Sequence, residues 1–158
     1  MDERTKDKPD IIGLLSFGFF LVLLGLIFSA NPDLHVKTYE FLKDMSLQEI
    51  YPGVKFFAPT LRHSEVYTAA FQFSLAFAVF NILMLALRFI FREPWSRKAG
   101  TASSIFFWSG AVFSLNQLAG GFIDWFTFLG LILIFIGGSI VFASVIRLVM
   151  LRIIATKG

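Results

Sequence analysis

The stretch IDWFTFLGLILIFIGGSIVFASVIRLVML, residues 123–151, decides the fold class. Between Asp124 and Arg147 it carries no charged residue. That exceeds the ~20 apolar residues a helix needs to cross a bilayer. Three more apolar runs precede it, at 11–29, 66–91 and 102–119. Together they predict an all-α protein, a four-transmembrane-helix bundle forming a single membrane domain over residues 1–158. Residues 30–65 are the one sizeable extramembrane stretch, between the first and second spans.

Composition agrees. Of the 158 residues, 56% are apolar and 16% charged. A soluble domain of this size leaves too much of its surface in water to hide that apolar content. Phe is abundant, at 21 residues, and suits both lipid-facing and interior positions. Cysteine is absent, which excludes disulfides, thiolate metal ligands and thiol catalysis. The net charge of +3 would suggest nucleic acid if the cations formed a stripe, but they flank the apolar runs. Lipid bilayer is therefore the expected partner, and nucleic acid is not. A cleaved signal peptide is not expected, because the first run is longer than a signal core and residues 2–10 are mixed in sign.

The distribution of Lys and Arg predicts an orientation. With four spans, residues 1–10, the connection between the second and third spans, and the C-terminal tail share one side, and they hold 3, 4 and 3 basic residues. The other side has 4, all within residues 30–65. The positive-inside bias places both termini in the cytoplasm of a cell-membrane protein and residues 30–65 outside.

Residues 30–65 are not a plain loop. Asn31 can cap a helix with Pro32 at its first position and Asp33 in its first turn. Leu34, Thr38, Phe41, Leu42 and Met45 then share a face, predicting a short amphipathic helix on the membrane or on the helix ends. Ser46 and Glu49 have capping-box spacing and predict a second helical turn, broken by Pro52-Gly53. Thr101 or Ser103 can cap the third span, Gly120-Gly121 makes a tight turn, and Asp124 can cap the fourth.

Small residues suggest a packing seam. Gly130, Gly137 and Ser144 recur every seven positions on the last run, and Gly18 and Gly25 share that spacing on the first. Seven residues are almost two helical turns, so each set forms one stripe, and the matched depths predict that the first and last spans touch there. The second span carries Gln72 and Asn81, nine positions apart and so on opposite faces. Gln72 and Asn116 fall at similar depth and are expected to hydrogen-bond across the second and third spans. The same amides could line a polar path, but no charged residue sits at mid-membrane, and interhelical bonding is the stronger reading.

Chemistry-bearing motifs are weak. His35 and His63 lie near Asp33, Glu40 and Glu65, yet they are 28 residues apart and make no metal-ligand spacing. No nucleophile elbow or phosphate loop is present. Neither a catalytic residue, a cofactor nor a metal is expected. Arg88, Arg92, Arg97 and Lys98, with Trp95 among them, could meet anionic headgroups, although topology setting and interface anchoring is the simpler role.

The stretch Arg97-Lys98-Ala99-Gly100-Thr101, leading into Ile105-Phe106-Phe107-Trp108-Ser109-Gly110, a tight hairpin and a glycine-bearing last helix, resembles small uncharacterised archaeal multi-pass membrane proteins. The likeness covers about the last third of the chain. It implies a cell-membrane location and brings no activity or site residues.

These readings lead to a non-enzymatic integral membrane protein, an interaction or accessory subunit of a membrane assembly, as a homo-oligomer or with other subunits. The alternative is a small oligomeric channel or transporter, with Ser74, Asn81 and Asn116 facing water. A lipid-active enzyme would have to rest on His63 and Glu65.

Overall fold

A computed structural model describes residues 11–155. The polar segment 1–10 and the end of the basic tail, on which part of the expected orientation rests, lie outside the described residues. Five helices and one small sheet follow in the order α1 (Ile11–Ala30), α2 (Leu34–Asp44), β1 (Met45–Tyr51), β2 (Val54–Pro59), α3 (Ser64–Ile90), α4 (Trp95–Gly120) and α5 (Trp125–Ala155). Three helices, α1, α3 and α5, are long and apolar enough to cross a membrane.

The fold is thus mainly helical rather than all-α. Where Ser46 and Glu49 predicted a helical turn, β1 and β2 form an antiparallel hairpin, with Met45 opposite Pro59 and Tyr51 opposite Val54. Pro52 and Gly53 make its turn, and Gly53 adopts φ +83°, a conformation open to glycine. Glu49 accepts a hydrogen bond from the Gly53 N–H at 2.8 Å, so its carboxylate closes a strand turn instead of a capping box. Ile50, Tyr51, Val54, Phe56 and Phe57 suit an extended chain.

α2 forms as expected but starts later. Asp33, not Asn31, stands at its N-cap. Asn31 instead closes α1, its side-chain amide donating to the Ile27 carbonyl at 2.9 Å. α4 begins at Trp95, seven residues before the expected start, because Pro94 can begin a helix without an N–H to lose. Thr101 and Ser103 therefore lie inside it. The Thr101 hydroxyl donates to the Arg97 carbonyl, and that of Ser103 reaches the Ser139 carbonyl on α5 at 2.7 Å.

Both sharp corners use one device. At Gly121 (φ +74°), Gly121 N–H donates to Leu118 O and Phe122 N–H to Gln117 O, the Schellman pattern. At the α3–α4 corner Arg92 takes the same left-handed position (φ +51°), with Arg92 N–H on Phe89 O and Glu93 N–H on Arg88 O. Asp124 caps α5 as expected, accepting from the Thr127 N–H at 2.7 Å.

The long helices form an antiparallel row, α1–α3–α4–α5, with α4 packed against both α3 and α5. The α3–α4 interface is built on small side chains: Ser74 and Ala78 on one helix, Ala99, Ala111 and Ser114 on the other, all buried. Small residues let the backbones approach. α4 and α5 exchange knobs. The Phe135 ring of α5 occupies the space over Gly110, and the Phe106 ring of α4 lies over Gly138, 2.9 Å from where a Cβ would stand. α1 touches the row more lightly, through Phe19 stacked on Phe80 (centroids 3.8 Å apart) and Phe20 edge-on to Phe73 and Phe77.

The expected seam between first and last spans is absent within the chain. α1 packs on α3, and sites for a Cβ at Gly18, Gly25, Gly130 and Gly137 have nothing within 4 Å. In a row the end helices do not meet, so these stripes face outward; Ser144 is exposed as well.

Candidate functional site

Three places hold the polar and packing groups singled out from sequence. The first is the end of the row covered by α2 and the hairpin. Asp44, the last residue of α2, accepts from the Leu61 N–H at 2.7 Å and lies 2.9 Å from His63 Nε2. Both side chains are mostly covered, 18% and 12% exposed. The Leu61 N–H first, and the His63 ring second, hold the Asp44 carboxyl below its ordinary pKa. The Phe41 ring packs edge-on against His63, Tyr67 and Trp125. Next to this clasp the Arg62 guanidinium donates to the Ala119 carbonyl at the C-terminus of α4, where the helix dipole favours a cation. Trp125 Nε1–H donates to Phe57 O at 3.3 Å and ties the hairpin to α5. His63 thus serves an intramolecular pair with Asp44, while His35 is exposed on α2. Among the described residues no group of three or more His, Asp or Glu is placed to hold a metal.

The second place is the α3–α4 corner, with the four interfacial basic residues. Arg88 and Arg97 both reach the Glu93 carboxylate. Lys98 Nζ sits 4.5 Å from the Phe89 ring centroid and 4.7 Å from that of Trp95. Arg88 and Lys98 are each only 8% exposed, and the Arg88 Nε is buried without a hydrogen-bond partner. Three of the four cations therefore hold the corner together by ion pairing and cation–π contact. Arg92 is exposed at the left-handed corner position. The cluster is a structural clip more than an open basic patch. Spacing in sequence could not show this, since Glu93 and the two rings become partners only once the chain turns.

The third place is the set of polar side chains along α3 and α4. Gln72 and Asn116, expected to bond to each other, are both exposed, and no hydrogen bond joins them. Asn81 is half-buried and donates to the Phe77 carbonyl of its own helix at 2.8 Å. Ser74 is buried between α3 and α4. Ser74 and Asn81, seven positions apart, share a covered stripe of α3, whereas Asn116 is exposed on α4. The packing glycines missed from sequence are Gly110 and Gly138. Their signal was a Phe four positions before one glycine and three before the other, Phe106–Gly110 and Phe135–Gly138.

Comparison of the chain with protein-family models, with curated proteins and with solved structures found no match.

Proposed function

We propose that the chain is a non-enzymatic, four-span protein of the cell membrane, with both termini cytoplasmic, that joins a membrane assembly through its two end helices. One observation carries this reading: α1 and α5 close the row at either end, and their glycine stripes are open. Helix association in lipid relies on close backbone approach at such residues. The exposed apolar hairpin, with Tyr51, Val54 and Phe57 each more than half exposed, adds contact area beyond the helix ends. The partner is a second copy or another subunit. The likeness to small archaeal multi-pass proteins accords with a cell-membrane location.

A fourth span is supported by α4's position. It lies between α3 and α5 and antiparallel to both, so a bilayer crossed by those two is crossed by α4. Its serines and Asn116-Gln117 lower its hydropathy, as suits a helix flanked by protein on two sides.

The chain has no cysteine, so an introduced one is unique. Gly137→Cys and Gly18→Cys are expected to give disulfide-linked species on oxidation in native membranes, and Val79→Cys, exposed on α3, is not. Absence of any cross-link from both stripes would sink the reading. The channel alternative rests on Gln72 and Asn116, unpartnered amides on exposed faces. It requires Asn116→Cys to react with a membrane-impermeant thiol reagent at the rate of a water-exposed site.

A further inference from the structure

α1 and α3 touch through their phenylalanines at mid-span and then diverge toward the hairpin end. Between them lies a crevice of about 290 Å³, walled by Leu24 and Ile27 of α1 and by Ala69 and Ala70 of α3. Phe20 and Phe73 floor it, and Leu34 and Thr38 of α2 roof it. Its lining is almost wholly apolar, so water has too few partners there to fill it.

From Phe20 to Phe28 the crevice follows α1 for roughly 12 Å, close to one leaflet of a ~30 Å hydrocarbon core. A helix is about 10 Å across, so 12 Å of one occupies roughly three times the crevice volume. A second copy's helix therefore cannot enter the crevice whole and would reach it only with side chains, whereas a thin flexible hydrocarbon chain enters along its length.

Directly above, sharing Leu34, is a polar pocket of about 320 Å³ lined by Asn31, Asp33, Lys37 and Glu65. Lys37 pairs with Glu65 at 3.5 Å and with Glu40 at 3.7 Å. Asp33 is exposed and makes no direct ion pair with Lys37, although its charge, after those of Glu65 and Glu40, also favours the Lys37 ammonium. The pocket lining thus holds two carboxylates and one ammonium. A head bearing only negative charge meets net repulsion, while a head with its own ammonium next to a phosphate finds Asp33 for one group and Lys37 for the other.

We infer that the junction of α1, α2 and α3 is a binding site for one zwitterionic membrane lipid, its acyl chain in the crevice and its ammonium-bearing head at Asp33 and Lys37. The lipid would complete the sparse α1–α3 contact where the protein leaves it unfilled.

The test uses the full chain in nanodiscs holding equimolar phosphoethanolamine- and phosphoglycerol-headed lipids with identical chains. Native mass spectrometry then reads the lipid retained per protein. One retained lipid is expected, with phosphoethanolamine preferred about fivefold, the scale of a single interfacial charge contact. Ala70→Phe fills the crevice and is expected to abolish retention. Thr38→Trp blocks its mouth from α2, outside the spans, and is expected to do the same; it keeps the test valid if Ala70→Phe fails to fold. Asp33→Asn is expected to keep the lipid and lose the head preference. Retention unchanged in Thr38→Trp, or a wild-type preference for the phosphoglycerol lipid, would overturn the assignment. So would an Ala70→Cys chain that forms disulfide-linked dimers, because the crevice would then hold protein.

Discussion

At the residue scale the packing of the row is decided by which glycines lie under a ring. At Gly110 a methyl group would collide with Phe135, near the ring's attachment point, where the ring cannot swing aside. Gly110→Ala is therefore expected to lower the stability of the detergent-solubilised monomer by about 1–3 kcal/mol, the usual cost of overpacking. Gly137→Ala, one position from Gly138 but facing open space, is expected to cause no loss. Thermal unfolding of the two variants side by side distinguishes them; equal destabilisation would show that the Gly110 notch does not matter. The contrast also marks the limit of the sequence at this scale. A seven-residue repeat identifies a stripe, but one helix alone does not say whether the stripe meets a neighbour. Gly130, Gly137 and Ser144 have the repeat and face outward. Gly110 and Gly138 lack it and are the ones in contact.

At the element scale the clasp around Asp44 joins α2, the hairpin and the start of α3. Because the Leu61 N–H and the His63 ring favour its ionised form, Asp44 has a lower pKa folded than unfolded. Its contribution is complete above the ordinary carboxylate value of ~3.9 and is lost as pH falls through the lower folded value. Acidification below about pH 4 is thus expected to loosen the cap while the spans stay folded. Trp125 reports on this, being in contact with Phe41 and Phe57. In a Trp95→Phe/Trp108→Phe background its fluorescence should shift in that acid range. Asp44→Ala should show the shifted signal already at neutral pH and no acid step; an unchanged acid step in Asp44→Ala would assign it to another group. Part of this region is readable in the sequence, including α2 and the Pro52-Gly53 break; of the expected apolar face Leu34 is buried while Leu42 is exposed. The hairpin is not readable, since Ser46 and Glu49 match a helical spacing while the β-branched and aromatic residues flanking the turn point to strands. Side-chain pairing between Ser46 and Thr60, 3.3 Å apart, becomes visible only once the strands are aligned.

At the scale of the whole molecule, four long helices are legible from apolar length, and the tight Gly120-Gly121 turn makes the last two neighbours; the expected pairing of the first helix with the last does not form, and α1 packs on α3. What sequence could not supply was the closure of the set. Four long helices can form a square or a row, and here the row leaves α1 attached by a few rings. Under the proposed four crossings, that of α3 puts the α3–α4 corner and the hairpin on opposite faces of the membrane. In sealed right-side-out vesicles, Tyr51→Cys should react with an impermeant thiol reagent and Arg92→Cys should react only after permeabilisation. Equal reaction of both in sealed vesicles would exclude four crossings.

The light attachment of α1 bears on how the protein is made. α1 is synthesised before the other long helices, and its ring partners Phe73, Phe77 and Phe80 follow only after the whole cap. In the proposed membrane setting the helix spans that interval as a lone anchor. Its only polar side chains are Ser16 and Ser29, so it can wait there without a companion. α4, with its serines and amides, comes after α3 and is followed at once by α5, so it is never required to wait. The order in which the helices are translated matches the order in which each can tolerate being alone.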